Sequence, residues 1–241
     1  MEPQFFSMIP KRLVTALVLL LPYGAFAQAI GFTAALPKWS ALNHIIERYN
    51  ASRPWLDNEL NEIHYLPGIT FSMGVHQWDA RVSMDVFKFS FTRQTVKAKE
   101  NDQTRHLRVK YSTFSIIGGQ FYPVLKNNFR IGLGAYPVEL NYFKVKGKTS
   151  TENKWETYYT DTRFFGLTNL ASSTFHLDLD LKLNDDAHLK ARLYYQWCWF
   201  KDEEILPINR ELNPNTYNDT YQSLTLDNSH IGFSLIYELH D

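Results

Sequence analysis

His176, Asp178 and Asp180 form a row of potential metal ligands that alternates with leucines. In extended backbone the members of such a row stand about 7 Å apart, so one metal ion cannot take all three. The next segment carries Lys190 and Arg192 in the same alternation. If a three-residue loop at 184–186 joins the two, Asp180 falls opposite Lys190 and Asp178 opposite Arg192. Ion pairing across a hairpin is therefore the expected chemistry, with no metal site.

A nucleophile and a base could come from Ser112, Ser115, His64 and His106, but no fixed spacing ties them into a pair. Gly118-Gly119 lies within a strand-like pattern rather than ahead of a helix, so it does not read as a phosphate loop. No catalytic residue, cofactor site or metal site is expected. Cys198 is the single cysteine, which leaves no intramolecular disulfide and suits a small buried filler in a strand.

The elements that position these residues read as strands. Phe175, Leu177, Leu179, Leu181 and Leu183 alternate with polar residues, as do Leu189, Ala191, Leu193, Tyr195, Trp197 and Trp199. Ile231, Phe233, Leu235, Tyr237 and Leu239 repeat the pattern near the end of the chain. Earlier segments follow it around 30–36, 69–76, 82–96, 106–123 and 129–147. The parity flips between Ala135 and Tyr136, beside Pro137, and again near Val86-Phe87, as β-bulges would produce. The total is eight strands. Short connections (77–81, 124–128 and 184–187) alternate with long ones (37–65, 97–105, 148–171 and 201–227), so all long loops should emerge at one end. Within 38–49, Trp39, Leu42, Ile45, Ile46 and Tyr49 recur at helical spacing, which predicts one amphipathic helix in the first long loop. It reads either as a lid or membrane-surface anchor, or as a helix packed on the barrel rim.

Charge and targeting bound the setting. Lys+Arg and Asp+Glu are both 25, and aromatics make up 15% of 241 residues. No net field draws nucleic acid, and the aromatic content suits a β-protein. Lys11-Arg12, the apolar run 13–21 and Ala25-Phe26-Ala27 resemble a cleaved signal peptide over 1–27. This gives an exported domain at 28–241, with translation starting at Met1 or Met8. The apolar run is shorter than the roughly 20 residues a spanning helix needs, so any membrane crossing must be by strands.

Period-2 alternation does not by itself say which face points inward. A soluble carrier would enclose the apolar face around a hydrophobic ligand; a membrane barrel would turn it toward lipid. Gly74, Gly118, Gly132, Gly134 and Gly232 fall on the polar face, where small residues relieve crowding in a narrow lumen. Tyr195, Trp197 and Trp199 cluster near one strand end, and Phe121, Phe129 and Tyr237 near the other, like interfacial girdles. Both features favour the membrane.

With the terminal strand 232–239, this pattern resembles the OmpA-like family of small outer-membrane barrels over nearly the whole exported part. The chain departs from the family's habit of ending on an aromatic residue, since it closes on Leu239-His240-Asp241. The resemblance implies an all-β, eight-stranded, antiparallel up-and-down transmembrane barrel in the outer membrane. The expected lumen is plugged by a charged network of His76, Arg108, Lys110, Arg130, His176, Asp178, Asp180, Lys182, Lys190, Arg192, His230 and Glu238. The expected partners are outer-membrane lipid and, through the long loops, another envelope or surface protein. The expected role is structural, surface-interacting or within an envelope complex. A lipid-modifying enzyme of the acyltransferase or deacylase type and a soluble carrier are the alternatives.

Overall fold

A computed structural model describes residues 27–152, 154–160, 171–199, 203–214 and 225–239. The segment expected to be a signal peptide lies outside them except for Ala27. Strand β1 (Ala27–Pro37) is followed by helix α1 (Ser40–Ala51), β2 (Leu66–Val75), β3 (Val82–Glu100), β4 (Gln103–Ser115) and β5 (Gly118–Leu125). Next come β6 (Phe129–Thr149), β7 (Glu156–Thr160), β8 (Ala171–Lys182) and β9 (Ala187–Cys198). The chain ends with β10 (Glu203–Glu204), α2 (Leu206–Leu212), β11 (Thr225–Leu226) and β12 (His230–Leu239).

The principal sheet closes on itself. β1 pairs with both β2 and β12, β12 with β9, β9 with β8, and β8 with β6. β4 and β5 are two halves of one stave, because each lies antiparallel between β3 and β6. β3 then returns to β2. The result is an eight-stranded antiparallel barrel whose ring of staves is closed, which satisfies within the ring the backbone groups that a flat sheet would leave unpaired at its edges.

The bulges fall close to the expected places. The β2–β3 register shifts opposite Val86. In β6 the shift spans Tyr136 to Glu139, with Pro137 and Val138 both exposed, so the flip comes after Tyr136 and not before it. Proline has no N–H to give to the ladder, which makes it tolerable at that irregularity.

The connection expected as a long loop at 97–105 is instead a tight turn. Glu100 pairs with Gln103, leaving Asn101 and Asp102 at the tip, and Asn101 adopts φ 50°. Asparagine is among the few side chains that accept this left-handed conformation. β3, β4 and β6 therefore continue past the rest of the barrel, and β7 folds back along β6.

The faces are sorted with apolar residues outside. Ile231, Phe233, Leu235, Tyr237 and Leu239 are all exposed, while Ser234 and Glu238 between them are buried. Phe175, Leu177, Leu179 and Leu181 are exposed, while His176, Asp178 and Asp180 are buried. A soluble carrier would need the opposite arrangement.

Above the lumen the rule reverses. Leu107, Val109 and Tyr111 of β4, with Phe143 and Val145 of β6, point inward and are buried against α1. The helix fills the barrel mouth with Leu42, Ile45 and Ile46, each fully buried. Two asparagines fix the returning chain to it. Asn43 Nδ2 donates to the Ile63 carbonyl (3.3 Å) while Oδ1 accepts from the Ile63 amide (2.9 Å). Asn50 makes the same pair of hydrogen bonds with Leu60, at 2.9 and 3.0 Å. Leu60 and Ile63 are thereby held in the apolar cluster, which Ile205, Ile208 and Leu212 of and beside α2 complete. The helix is thus packed into the mouth by its apolar face and is not laid on a membrane surface.

Candidate functional site: the barrel interior

The candidate site is the ion-pair network that the inward positions of the staves bring together at the turn end. Alternation gives each strand one inward position in two, and those positions here carry charge. The β8–β9 hairpin has the expected register, with Asp178 opposite Arg192 and Asp180 opposite Lys190. Arg192 grips Asp178 through Nε and Nη2, both at 2.8 Å, and its Nη1 donates to the Tyr136 hydroxyl at 2.7 Å. Tyr136 in turn donates to Asp85.

Arg130 is fully buried, stacked on the Tyr122 ring at 4.0 Å and the Trp78 ring at 4.7 Å. Its Nε donates to Asp180 at 2.9 Å and its Nη1 to the Gln77 carbonyl at 3.1 Å. Lys190 donates to Glu238 at 2.7 Å. His76 stands between two carboxylates, with Nδ1 2.7 Å from Glu238 and Nε2 3.0 Å from Asp85. Higher up, Lys88 donates to Glu139 at 3.0 Å, and Ser115 and Thr174 also donate to that carboxylate.

Among the described residues the buried carboxylates are Asp85, Glu139, Asp178, Asp180 and Glu238, against the cations Lys88, Arg130, Lys190 and Arg192. His76 lies at the place where two acids face one ring, so protonation of that ring would add a fifth positive charge. Above this layer, Gln196 Nε2 reaches Tyr111 (2.6 Å), Asn141 (2.9 Å) and Ser172 (2.9 Å). A cavity of about 20 Å³ lies between Lys88, Tyr194, Gln196 and His230, room for about one water molecule.

The glycines make this packing possible. A Cβ on Gly118 would lie 2.4 Å from the Tyr136 ring, and one on Gly232 would lie 2.1 Å from the Tyr194 ring. Each large aromatic side chain thus lies over a glycine of a neighbouring stave.

Of the expected network, His76, Arg130, His176, Asp178, Asp180, Lys190, Arg192 and Glu238 are buried together. His230 is buried higher, with Nδ1 at 2.8 Å from the Asn228 carbonyl and its ring against Tyr111 and Tyr194. Lys182 sits at the turn end, half-buried, paired with Asp185 at 2.7 Å. Arg108 and Lys110 are not luminal. They face outward, because Leu107 and Val109 take the inward positions against α1.

Asp85, Lys88, Glu139 and His188 also belong to the interior; Asp85 and Glu139 each lie beside a parity flip, which hides their facing from the alternation. Among the described residues no cluster of His, Cys, Asp or Glu has metal-binding geometry. Ser115 is an interior group bound to Glu139 and not a rim nucleophile. Ser112 is six residues from His106 on one strand, about 20 Å away. Cys198 is buried beside Asn141.

Neither a protein-family pattern nor a curated protein sequence matches the chain. Among solved structures, the chain is similar to the attachment invasion locus protein Ail of Yersinia pestis, in complex with the heparin analogue sucrose octasulfate. That match has TM-score 0.47 and 11% identity, and covers 90% of this chain and 99% of that one. Neisserial surface protein A (TM-score 0.41, 12% identity) covers 91% and 100%. The outer membrane protein OprG of Pseudomonas aeruginosa (TM-score 0.44, 11% identity) covers 90% and 96%.

Proposed function

We propose that this chain is an integral outer-membrane barrel with a closed lumen, whose function is carried by the surface it presents at the loop end. The observation that carries this reading is the outward apolar belt. On β9 and just beyond it, the outward apolar positions run from Leu189 to Trp199. That is about 34 Å of strand, or about 26 Å of height at a tilt near 40°. Outer-membrane barrels present an apolar band about 25 Å tall. Monomeric soluble proteins rarely expose contiguous apolar patches above a few hundred Å².

The way the interior is used supports a structural or surface-interaction role. The turn half of the lumen is filled by paired charges, and the loop half is filled by α1 and its apolar partners. The packing of both layers supports a lumen without an aqueous path, in keeping with the small bore of eight strands. The loop-end extension of β3, β4, β6 and β7 is built on the same closed scaffold and is the part that meets partners. Enzymatic action is not part of this proposal: Ser112 and His106 stand about 20 Å apart along one strand, and Ser115 is bound to Glu139 inside the barrel.

Planar-bilayer recording tests the closed lumen. Purified protein inserted into a bilayer is expected to give no stepwise conductance. Steady single-channel currents from the native chain would contradict it.

A further inference from the structure

Beyond the apolar belt, the outward face of three adjacent staves turns basic, row by row. Phe89, Phe114 and Leu140 form one cross-strand row, and Phe91, Ser112 and Tyr142 the next. The following row is Arg93, Lys110 and Lys144, then Thr95, Arg108 and Lys146, then Lys97, His106 and Lys148. Seven Lys or Arg side chains and one histidine thus share nine neighbouring positions on one face, in a chain whose net charge is zero.

Neighbours in this grid stand about 5 Å apart, and like charges directly opposite one another destabilise a sheet. That field bears on the central members. Lys110 is held below the usual lysine range by burial and by Arg108, Lys146, Arg93 and Lys144. His106 is held below the usual histidine range by burial and by Lys97, Lys148 and Arg108. Arg108 lies over the Trp155 ring at 3.6 Å and donates to Thr95 at 3.3 Å, so the middle row is held in place. A surface that repels itself is relieved by bound anions.

The position of the grid selects the anion. Its first row begins where the belt ends, on all three staves at once. An acyl chain lying along Phe89, Phe114 and Leu140 places its headgroup against Arg93, Lys110 and Lys144. We infer that this β3–β4–β6 face is a docking surface for the phosphate groups of lipids surrounding the loop end of the barrel. The inference rests on the membrane reading above. Juxtamembrane Lys and Arg each add about 1 kcal/mol toward an anionic lipid surface, about fivefold in affinity. Removal of three should therefore lower lipid affinity on the order of a hundredfold.

The test is native mass spectrometry of the full chain, refolded in a zwitterionic detergent and titrated with a diphosphorylated glucosamine lipid. The same lipid without its phosphates and a sulfated oligosaccharide serve as comparison ligands. The variant is Arg93→Gln/Lys110→Gln/Lys144→Gln, with Lys126→Gln in the opposite, turn end as control. The inference expects the native chain and the control to retain the phosphorylated lipid, and the triple variant to lose it while still migrating as a folded barrel. Equal retention of the dephosphorylated lipid, or undiminished retention by the folded triple variant, would overturn it. Preference for the oligosaccharide over the lipid would overturn it too, in favour of a polysaccharide partner. Failure of the membrane reading is separate: the native chain would then fail to show heat-modifiable migration at all.

Discussion

Asp178 and Arg192 face each other across the β8–β9 hairpin and are joined by two N–H···O contacts of 2.8 Å, both groups buried inside the barrel. The charge of either one alone would be costly there, and each is tolerable because the other is present. Asp178→Leu or Arg192→Leu should each cost about 3–5 kcal/mol, because each leaves one buried charge unpaired. The double substitution should recover a large part of that loss. Urea unfolding of the four proteins in lipid vesicles gives the coupling directly, and additive losses would remove the pair from the account.

His76 holds Asp85 and Glu238 apart with one ring. Replacing it with glutamine removes the ring that bridges two buried carboxylates, and with it the one group there that could carry a compensating proton, while keeping a polar side chain. The expected outcome is a destabilised barrel that recovers when Glu238→Gln is added. Vesicle-based unfolding checks this, with an unchanged midpoint for His76→Gln as the contrary result.

Two glycines give opposite expectations. A methyl group on Gly232 would lie 2.1 Å from the Tyr194 ring, whereas one on Gly119 meets nothing within 4 Å. Gly232→Ala should cost about 1–3 kcal/mol through overpacking, and Gly119→Ala should be close to neutral. Denaturant midpoints measured side by side distinguish them.

The apolar cluster in the mouth is expected to behave as a packed core. Ile45→Ala and Leu42→Ala remove side chains that are fully buried, each costing about 2–5 kcal/mol locally. Because α1 closes only the loop end, the loss should appear as faster hydrogen exchange over 40–66, with strands β8, β9 and β12 still protected. Uniform loosening of the whole barrel would show that helix and barrel are one cooperative unit.

Much of this architecture is legible in the sequence because period 2 is unambiguous where Leu177, Leu179 and Leu181 alternate with His176, Asp178 and Asp180. Charge complementarity then fixes the hairpin register, since a one-residue slip would set leucine against lysine. Pro137 marks its bulge for the same local reason. The charges at Arg108 and Lys110 are legible only as alternation, which carries no sign. Within the belt the outward face must be apolar, whereas beyond it that face meets water and the inward one meets α1. Leu107, Val109 and Tyr111 therefore point inward with no break in the pattern to announce the reversal. Asp85 and Glu139 are hidden because a bulge next to each resets the parity. The turn at Asn101-Asp102 reads as a loop because the flanking lysines, arginine and histidine are polar; their strand character comes from pairing along β3, β4 and β6.

The apolar face of this barrel is proposed to contact lipid. The most direct measurement is outer-membrane fractionation of the expressed chain followed by gel migration with and without boiling in SDS. The expected result is a chain in the outer-membrane fraction, extractable only by detergent, with folded and boiled forms migrating differently. A detergent-free soluble monomer with a single migration would contradict it.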